Sequence, residues 1–265
     1  MRLATWNVNS LNARMPRVTD WLERVRPDVL CMQETKLANE AFPADEFSAL
    51  GYESVHHGQG QWNGVAILSR VGLEDTAIDF DDGGDADVDA RIVWATCAGV
   101  RVASVYVPNG REVDHDHYHY KLDWLSRLGT TIDNTTALGA GKGPHDKVVI
   151  TGDYNIAPED RDVWDTKAFE GATHVTDRER DALTALVDRG LTDVFRQEHP
   201  ELDGLYSYWD YTAGRFHKRE GIRIDLVLAS GPVAATTARV VVDRNARKGT
   251  KPSDHAPVVA DFNLA

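Results

Sequence analysis

Sorted by apolar and polar positions, the chain alternates between strands and helices. RLATWNV (2–8) and DVLCMQE (28–34) have the branched, largely apolar character of buried strands. Between them RMPRVTDWLERVR sets Val18, Leu22 and Val25 on one helical face, and Pro27 separates that helix from the second strand. GVAILSR, RIVWATCA and VRVASVYVP continue the β pattern. A helix follows in which Tyr118, Leu122 and Leu125 share a face and Gly129 marks an end or a break. Thr176 and Glu179 have the spacing of a capping box for another helix, which should stop near Gly190. RIDLVLAS, ARVVVD and PVVADFN are late strands. Segments 79–89 and 139–146 look loose, but neither is long enough to divide the chain, and no solenoid repeat is present. One α/β domain with mixed sheets is expected over residues 1–265.

Composition narrows this only slightly. At 42% hydrophobic and 27% charged residues the chain reads as an ordinary soluble globular protein with enough length for a sizeable core. No stretch resembles a membrane span, and the start, MRLATWNVNS, lacks the pattern of a secretory signal. Cys31 and Cys97 each lie in an apolar run without CxxC spacing, which predicts buried free thiols and a cytoplasmic location, at the nucleoid if the source is bacterial.

Charge changes the picture more. The net −13 argues against a generic nucleic-acid binder, but from Gly204 to Lys251 nine Arg and Lys face four Asp and Glu. There Tyr206, Tyr208, Trp209, Tyr211 and Phe216 interleave with Arg215, Lys218, Arg219 and Arg223, and Arg244, Arg247, Lys248 and Lys251 crowd a later loop. Aromatic rings for bases and cations for phosphates are what a nucleic-acid surface needs. A solvated basic loop beside a core aromatic cluster reads the same way.

The chemistry concentrates at strand ends. In KVVITGDYNIAP a buried strand runs into Gly152, Asp153 and Asn155, which suits either a plain turn or the rim of an active site. Asn7 closes the first strand and Glu34 the second, while Asp225 sits inside an apolar strand, where an unpaired carboxylate would cost several kcal/mol. Asp254 and His255 precede the last strand. Together these residues offer oxygen ligands for a hard divalent cation, Mg²⁺ or Mn²⁺ rather than zinc, and a histidine with a carboxylate partner. Two weaker motifs fail. GAGKGP lacks the spacing of a phosphate loop, and His115, His117 and His119 would fan round a helix instead of facing one metal.

TWNVNSL, LCMQETK, NGVAILSR, VYVPNG, TGDYNIAP, RIDLVLAS and SDHAPV occur in the order and approximate spacing of the endonuclease/exonuclease/phosphatase superfamily. The chain most resembles its exonuclease III branch, the apurinic/apyrimidinic endonucleases, over residues 1 to 263. That resemblance implies a four-layered α/β sandwich, two mixed β-sheets packed face to face with helices outside. It implies Glu34 as principal metal ligand with Asn7, Asp254, Asp153 and Asn155 near the ion. Asp153 would activate or position the attacking water, Asp225 would orient His255, and Tyr106 and Asn109 would contact the scissile phosphate. Arg111, Tyr208, Trp209, Arg219, Arg247 and Lys248 are the expected substrate contacts. Asn9 stands where many relatives have Asp, which weakens one possible metal contact.

The implied activity is Mg²⁺-dependent (or Mn²⁺-dependent) hydrolysis 5′ to an abasic site in double-stranded DNA, with 3′-terminal nucleotides and blocking groups as further substrates, by a monomer without membrane association. A phosphatase or phosphodiesterase of the same superfamily, acting on a small phosphate ester or phospholipid head group, is the rival. A catalytically inactive binding module is disfavoured because every core position is filled.

Overall fold

The computed structural model describes residues 1–264. β1 (Arg2–Asn7) leads through α1 (Leu11–Val25) into β2 (Val29–Gln33). A short α2 (Ala44–Ala49) precedes β3 (Glu53–His57), β4 (Val65–Ser69), β5 (Glu74–Ile78), β6 (Ile92–Cys97) and β7 (Val100–Tyr106). The long α3 (Asp116–Thr135) returns the chain to β8 (Val148–Asp153), followed by α4 (Asp177–Val187), β9 (Leu191–Asp193) and α5 (Val194–Glu198). The last part contains α6 (Arg215–Lys218), β10 (Asp225–Ser230), α7 (Gly231–Ala234), β11 (Thr237–Val242) and β12 (Val258–Phe262).

The strands form two six-stranded sheets, ordered β11-β12-β1-β2-β4-β3 and β5-β6-β7-β8-β10-β9. Each holds one parallel pair, β1 with β2 and β7 with β8, and antiparallel neighbours elsewhere. A parallel pair needs a crossover, and α1 and α3 supply the two helices. The inner sheet faces share one core, where Leu3, Val29 and Ile67 belong to the same cluster as Val93, Val149 and Val227. Trp6, Leu30 and Leu68 on the outer face of the first sheet pack with Val18, Trp21 and Leu22 of α1. Val148 and Ile150 on the outer face of the second pack with Trp124, Leu128 and Leu183 of α3 and α4. The result is the four-layered sandwich with two mixed sheets. Burial on both faces explains why Val148–Ile150 is an unbroken apolar run.

Several local expectations change. Gly129 neither ends nor breaks α3, and a Cβ there would lie 2.8 Å from the Arg189 guanidinium carbon, so the glycine makes room for that side chain. Leu122 is only half-buried, and the inward face of α3 is carried by Tyr118, Lys121, Trp124, Leu125 and Leu128. The capping box at α4 forms, with Glu179 N–H donating to Thr176 Oγ1 and Thr176 N–H to Glu179 Oε2. His115 caps α3 through its ring, which accepts the His117 N–H at 2.9 Å. No helix among the described residues is long and apolar enough to cross a membrane.

Gly152 is required by close approach of β7, since a Cβ at that position would fall 1.9 Å from the Val105 carbonyl oxygen. Gly152→Ala should therefore destabilise the protein by at least about 2 kcal/mol, in the range of overpacked core positions. Urea unfolding checks this, and an unchanged midpoint would contradict the packing.

Candidate active site

Both parallel pairs finish at the same rim of the sandwich, which brings four carboxyl-ends of strands together. Asn7 ends β1, Glu34 follows β2, Tyr106 ends β7 and Asp153 ends β8. Because β10 runs antiparallel to β8, its first residue is the one that arrives there, and Asp225 pairs in register with Asp153. By the same logic β12, antiparallel to β1, delivers the loop before it, Ser253–His255. The backbone then bends sharply: Glu34 and Asn155 adopt φ of 53° and 51°, a left-handed conformation that is uncommon for Glu and more readily taken by Asn.

The side chains form one network. His255 Nδ1 lies 2.8 Å from Asp225 Oδ2, and its Nε2 lies 3.7 Å from Asp153 Oδ2. Asn7 Nδ2 donates to Asp153 Oδ2 at 3.0 Å and to Glu34 Oε1 at 2.8 Å. The Asn155 N–H donates to Asp153 Oδ1 at 2.9 Å, and Asn109 Nδ2 donates to Asn155 Oδ1 at 3.2 Å. Asp254 joins through Asn9, whose amide donates to Asp254 Oδ1 at 3.1 Å. Tyr208 tilts over the His255 ring, 4.8 Å between centroids, and Tyr106 lies under the Arg91 guanidinium.

Burial dominates the electrostatics. It would lower the His255 pKa, but the charges of Asp225 and Asp153 outweigh it and raise the value to about 10. The ring is therefore an imidazolium at neutral pH. Burial pushes Asp153 the other way, to about 7, with His255 opposing the rise and Asp225 adding to it. Glu34 is also penalised by burial, yet Lys36 and the hydrogen bond from Asn7 hold its carboxyl below the ordinary range.

A cation site fits the residues around Glu34. Lys36 Nζ sits 2.8 Å from Glu34 Oε2, so positive charge is already accommodated beside that carboxylate. Asp153 shares the Asn7 amide with Glu34, and Asp254 is linked to Glu34 through Asn9 and Lys36, so the acidic groups nearby are oxygen donors of the kind a hard divalent ion takes. Asp153, Asp225 and His255 also cluster within 4.8 Å, but a protonated imidazole bonded to Asp225 is a poor ligand. Asn7 Oδ1 accepts the Asn9 N–H, and its NH₂ group bridges Glu34 and Asp153.

The expected DNA contacts divide. Asn109, Arg111, Arg219 and Lys248 are exposed, and Tyr208 is half-buried. Trp209 and Arg247 are not on a substrate surface: they are 1% and 6% exposed. The Arg247 guanidinium donates to the carbonyls of Ser253 at 2.6 Å and Trp209 at 3.2 Å and packs over Tyr211 and Phe216. Arg223, counted in the basic segment, is buried and bonded to Asp162 and Asp193. Asp162 and Asp193 around Arg223, and backbone carbonyls around Arg247, offset part of the cost of taking these cations out of water.

Sequence reading missed Lys36 and Lys121. Lys121 is fully buried, donating to the Asn155 carbonyl at 2.7 Å and the Asn109 carbonyl at 3.3 Å and pairing with Glu179. Its place three residues after Tyr118 and four before Leu125, on the apolar face of α3, was the available signal.

Residues 4–255 match the Endonuclease/Exonuclease/phosphatase family. Exodeoxyribonuclease III of Haemophilus influenzae is 31% identical over 99% of this chain and 100% of its own. A 3′-5′ exonuclease from Neisseria meningitidis superposes with a TM-score of 0.94 at 39% identity over the whole of both chains, and a second structure of it is described as a 3′ phosphatase bound to product DNA hairpin. An AP endonuclease from Archaeoglobus fulgidus superposes at 0.93 with 35% identity, again over both whole chains.

Two expectations follow from the geometry. In metal-free protein the stability contributed by the charged His255 is complete below its unfolded value near 6.5 and is lost as pH rises through about 10. Histidine NMR should show His255 still protonated at pH 8. Asp225→Asn should lower its pKa by at least about one unit, the loss of a strong charge interaction. Deprotonation of the wild type at the ordinary histidine value would refute the paired arrangement. Separately, Arg247→Ala should lower Tm, as loss of a buried bonded cation does, whereas exposed Arg219→Ala and Lys248→Ala should leave Tm unchanged and raise KM for DNA. Equal Tm for all three would overturn that division.

Proposed function

The chain belongs to the endonuclease/exonuclease/phosphatase family, and from that premise we propose that its sheet-rim site hydrolyses the phosphodiester 5′ to an abasic site in duplex DNA, leaving a 3′-hydroxyl and a 5′-deoxyribose phosphate. The protein is a metal-dependent phosphodiester hydrolase of DNA repair, and DNA is its substrate. The observation that carries the reading is a buried His255 held by Asp225 and facing Asp153, with Glu34 joined to Asp153 through Asn7. Both sheets contribute to this one site, which supports residues 1–265 acting as a single catalytic unit.

A phosphodiester repels an anionic or weak nucleophile, so the site must neutralise charge and align water. Asp153 positions that water and takes up its proton, a task that suits a carboxylate whose pKa is lifted toward neutrality. His255 donates from Nε2 to a non-bridging phosphate oxygen, and Asp225 keeps it charged and oriented. The Asn109 and Asn155 amides and the Tyr106 hydroxyl contact the phosphate, with Lys121 fixing both asparagine carbonyls from behind. Glu34 and Asp254, with Asp153 beside them, are the residues that would hold a divalent cation, Mg²⁺ or Mn²⁺, which would supply Lewis-acid polarisation and charge for the leaving 3′-oxygen. Asn7 and Asn155 align the carboxylates.

The 39% identity to a protein described as a 3′-5′ exonuclease and 3′ phosphatase supports a second use of the same site, removal of 3′-terminal nucleotides and 3′-blocking groups. A small phosphate ester or phospholipid head group is not favoured, since these relatives are nucleases.

One incubation series tests both readings: abasic duplex, recessed matched duplex, 3′-phosphate duplex and an inositol phosphate, each with Mg²⁺ and with EDTA. Incision of the abasic strand only with Mg²⁺ is expected, and hydrolysis of inositol phosphate alone would reject the assignment. Asp153→Asn and His255→Ala should each lower turnover at least about 10²-fold, the scale of positioned proton transfer. Glu34→Gln should abolish most activity at moderate Mg²⁺, and a wild-type rate there would remove Glu34 from the cation site.

A further inference from the structure

Trp62 has no structural reason to be where it is. Its side chain is 65% exposed, while Trp6, Trp21, Trp94, Trp124 and Trp209 are all at 2% or below. It lies in the loop Gly58–Asn63 between β3 and β4, and the far end of that loop is bonded to the turn that carries Glu34. The Lys36 N–H donates to the Asn63 carbonyl at 2.9 Å, and the Thr35 N–H to the Gly64 carbonyl at 3.1 Å. Lys36 in turn donates from Nζ to Asn9 Oδ1, so the Trp62 loop, part of the first sheet, is tied through its backbone to the rim of the candidate site.

The loop is held in place. The Gly58 N–H donates to Asn39 Oδ1 at 2.8 Å, and Gln59 bonds Asp89 at 3.1 Å and the Ala90 N–H. Its chemistry also departs from the rest of the molecule. In a chain of net −13, no Asp or Glu occurs between Glu53 and Glu74, and Gly58–Asn63 carries neither acid nor base. Such a surface does not repel DNA, and it has no cation with which to grip a phosphate. It offers amides and one flat aromatic face.

We propose that Trp62, on the loop bonded to the Glu34 turn, is a stacking platform for a nucleobase of the bound DNA. Every base has a π face, so the contact adds affinity without sequence preference. The inference rests on DNA being the substrate, and it assigns the recognition of unpaired or end-exposed bases near the cut to the first sheet.

The test uses the full chain with Trp62→Ala and Trp62→Phe. Kd for a duplex with a recessed end is measured in EDTA across a salt series, and kcat and KM are measured with Mg²⁺. Trp62→Ala should raise Kd and KM about tenfold, the scale of one lost base stack, with kcat at saturating DNA unchanged. Trp62→Phe should recover most of the affinity while abolishing the quenching of tryptophan emission that DNA produces in the wild type. The salt slope should not change, because no charge is lost. Wild-type affinity in Trp62→Ala, equal loss in both variants, or a slope shallower by about one unit would each overturn the proposal. A wild type that neither binds nor cuts DNA would instead defeat the functional reading, and this inference with it.

Discussion

A buried imidazolium survives only if nearby carboxylates repay its lost hydration, and the site is organised around that constraint. Asp225 alone cannot be separated from the rest of the fold, since its own burial would be costly without His255. The pair is held from several sides. Ser207 Oγ accepts the Ile224 and Asp225 N–H groups, Ser253 Oγ accepts the His255 N–H, and the Trp6 indole donates to the His255 carbonyl. A second buried pair, Lys121 with Glu179, does the same for the Asn109 and Asn155 backbone. Charge buried in this way stabilises little in itself, but it permits few alternative arrangements.

Topology decides why these groups meet at all. Two parallel strand pairs, one per sheet, place their carboxyl ends at the same rim, and each antiparallel neighbour brings its amino end there. The polar residues can therefore follow apolar strands directly, with no long loop to order. The left-handed backbone at Glu34 and Asn155 is the local cost of turning the chain at that rim, offset by the hydrogen bonds the turned residues make.

The charge distribution is less simple than a count of the 204–251 segment suggests. Arg223 and Arg247 are internal struts, so the cationic surface there is smaller than nine residues imply. Arg219 and Lys248 stay exposed, and the proposed DNA contact rests on those few cations together with the uncharged Trp62 loop. A strongly acidic protein that acts on a polyanion depends on a short, local stretch where like charges are absent.

Much was legible in the chain alone. Two-faced burial writes itself as unbroken runs such as VVI, and a carboxylate stranded in RIDLVLAS signals a partner, because neither pattern depends on distant residues. Most strands, the main helices and the rim residues Asn7, Glu34, Asp153, Asp225 and His255 are legible on that basis and by ordered resemblance, whereas the largely exposed β3 and β5 and the short β9 are not. Composition could not separate Arg219 from Arg247, or Trp62 from Trp209, since residue type says what a side chain can do and not which way it faces. Nor could it show Lys121 inside, a lysine being charged wherever it is until a buried glutamate 58 residues away is folded against it. Local propensity is carried by neighbours in sequence; burial, pairing and the pKa values that follow from them are carried by neighbours in space, and only the packed sandwich supplies those.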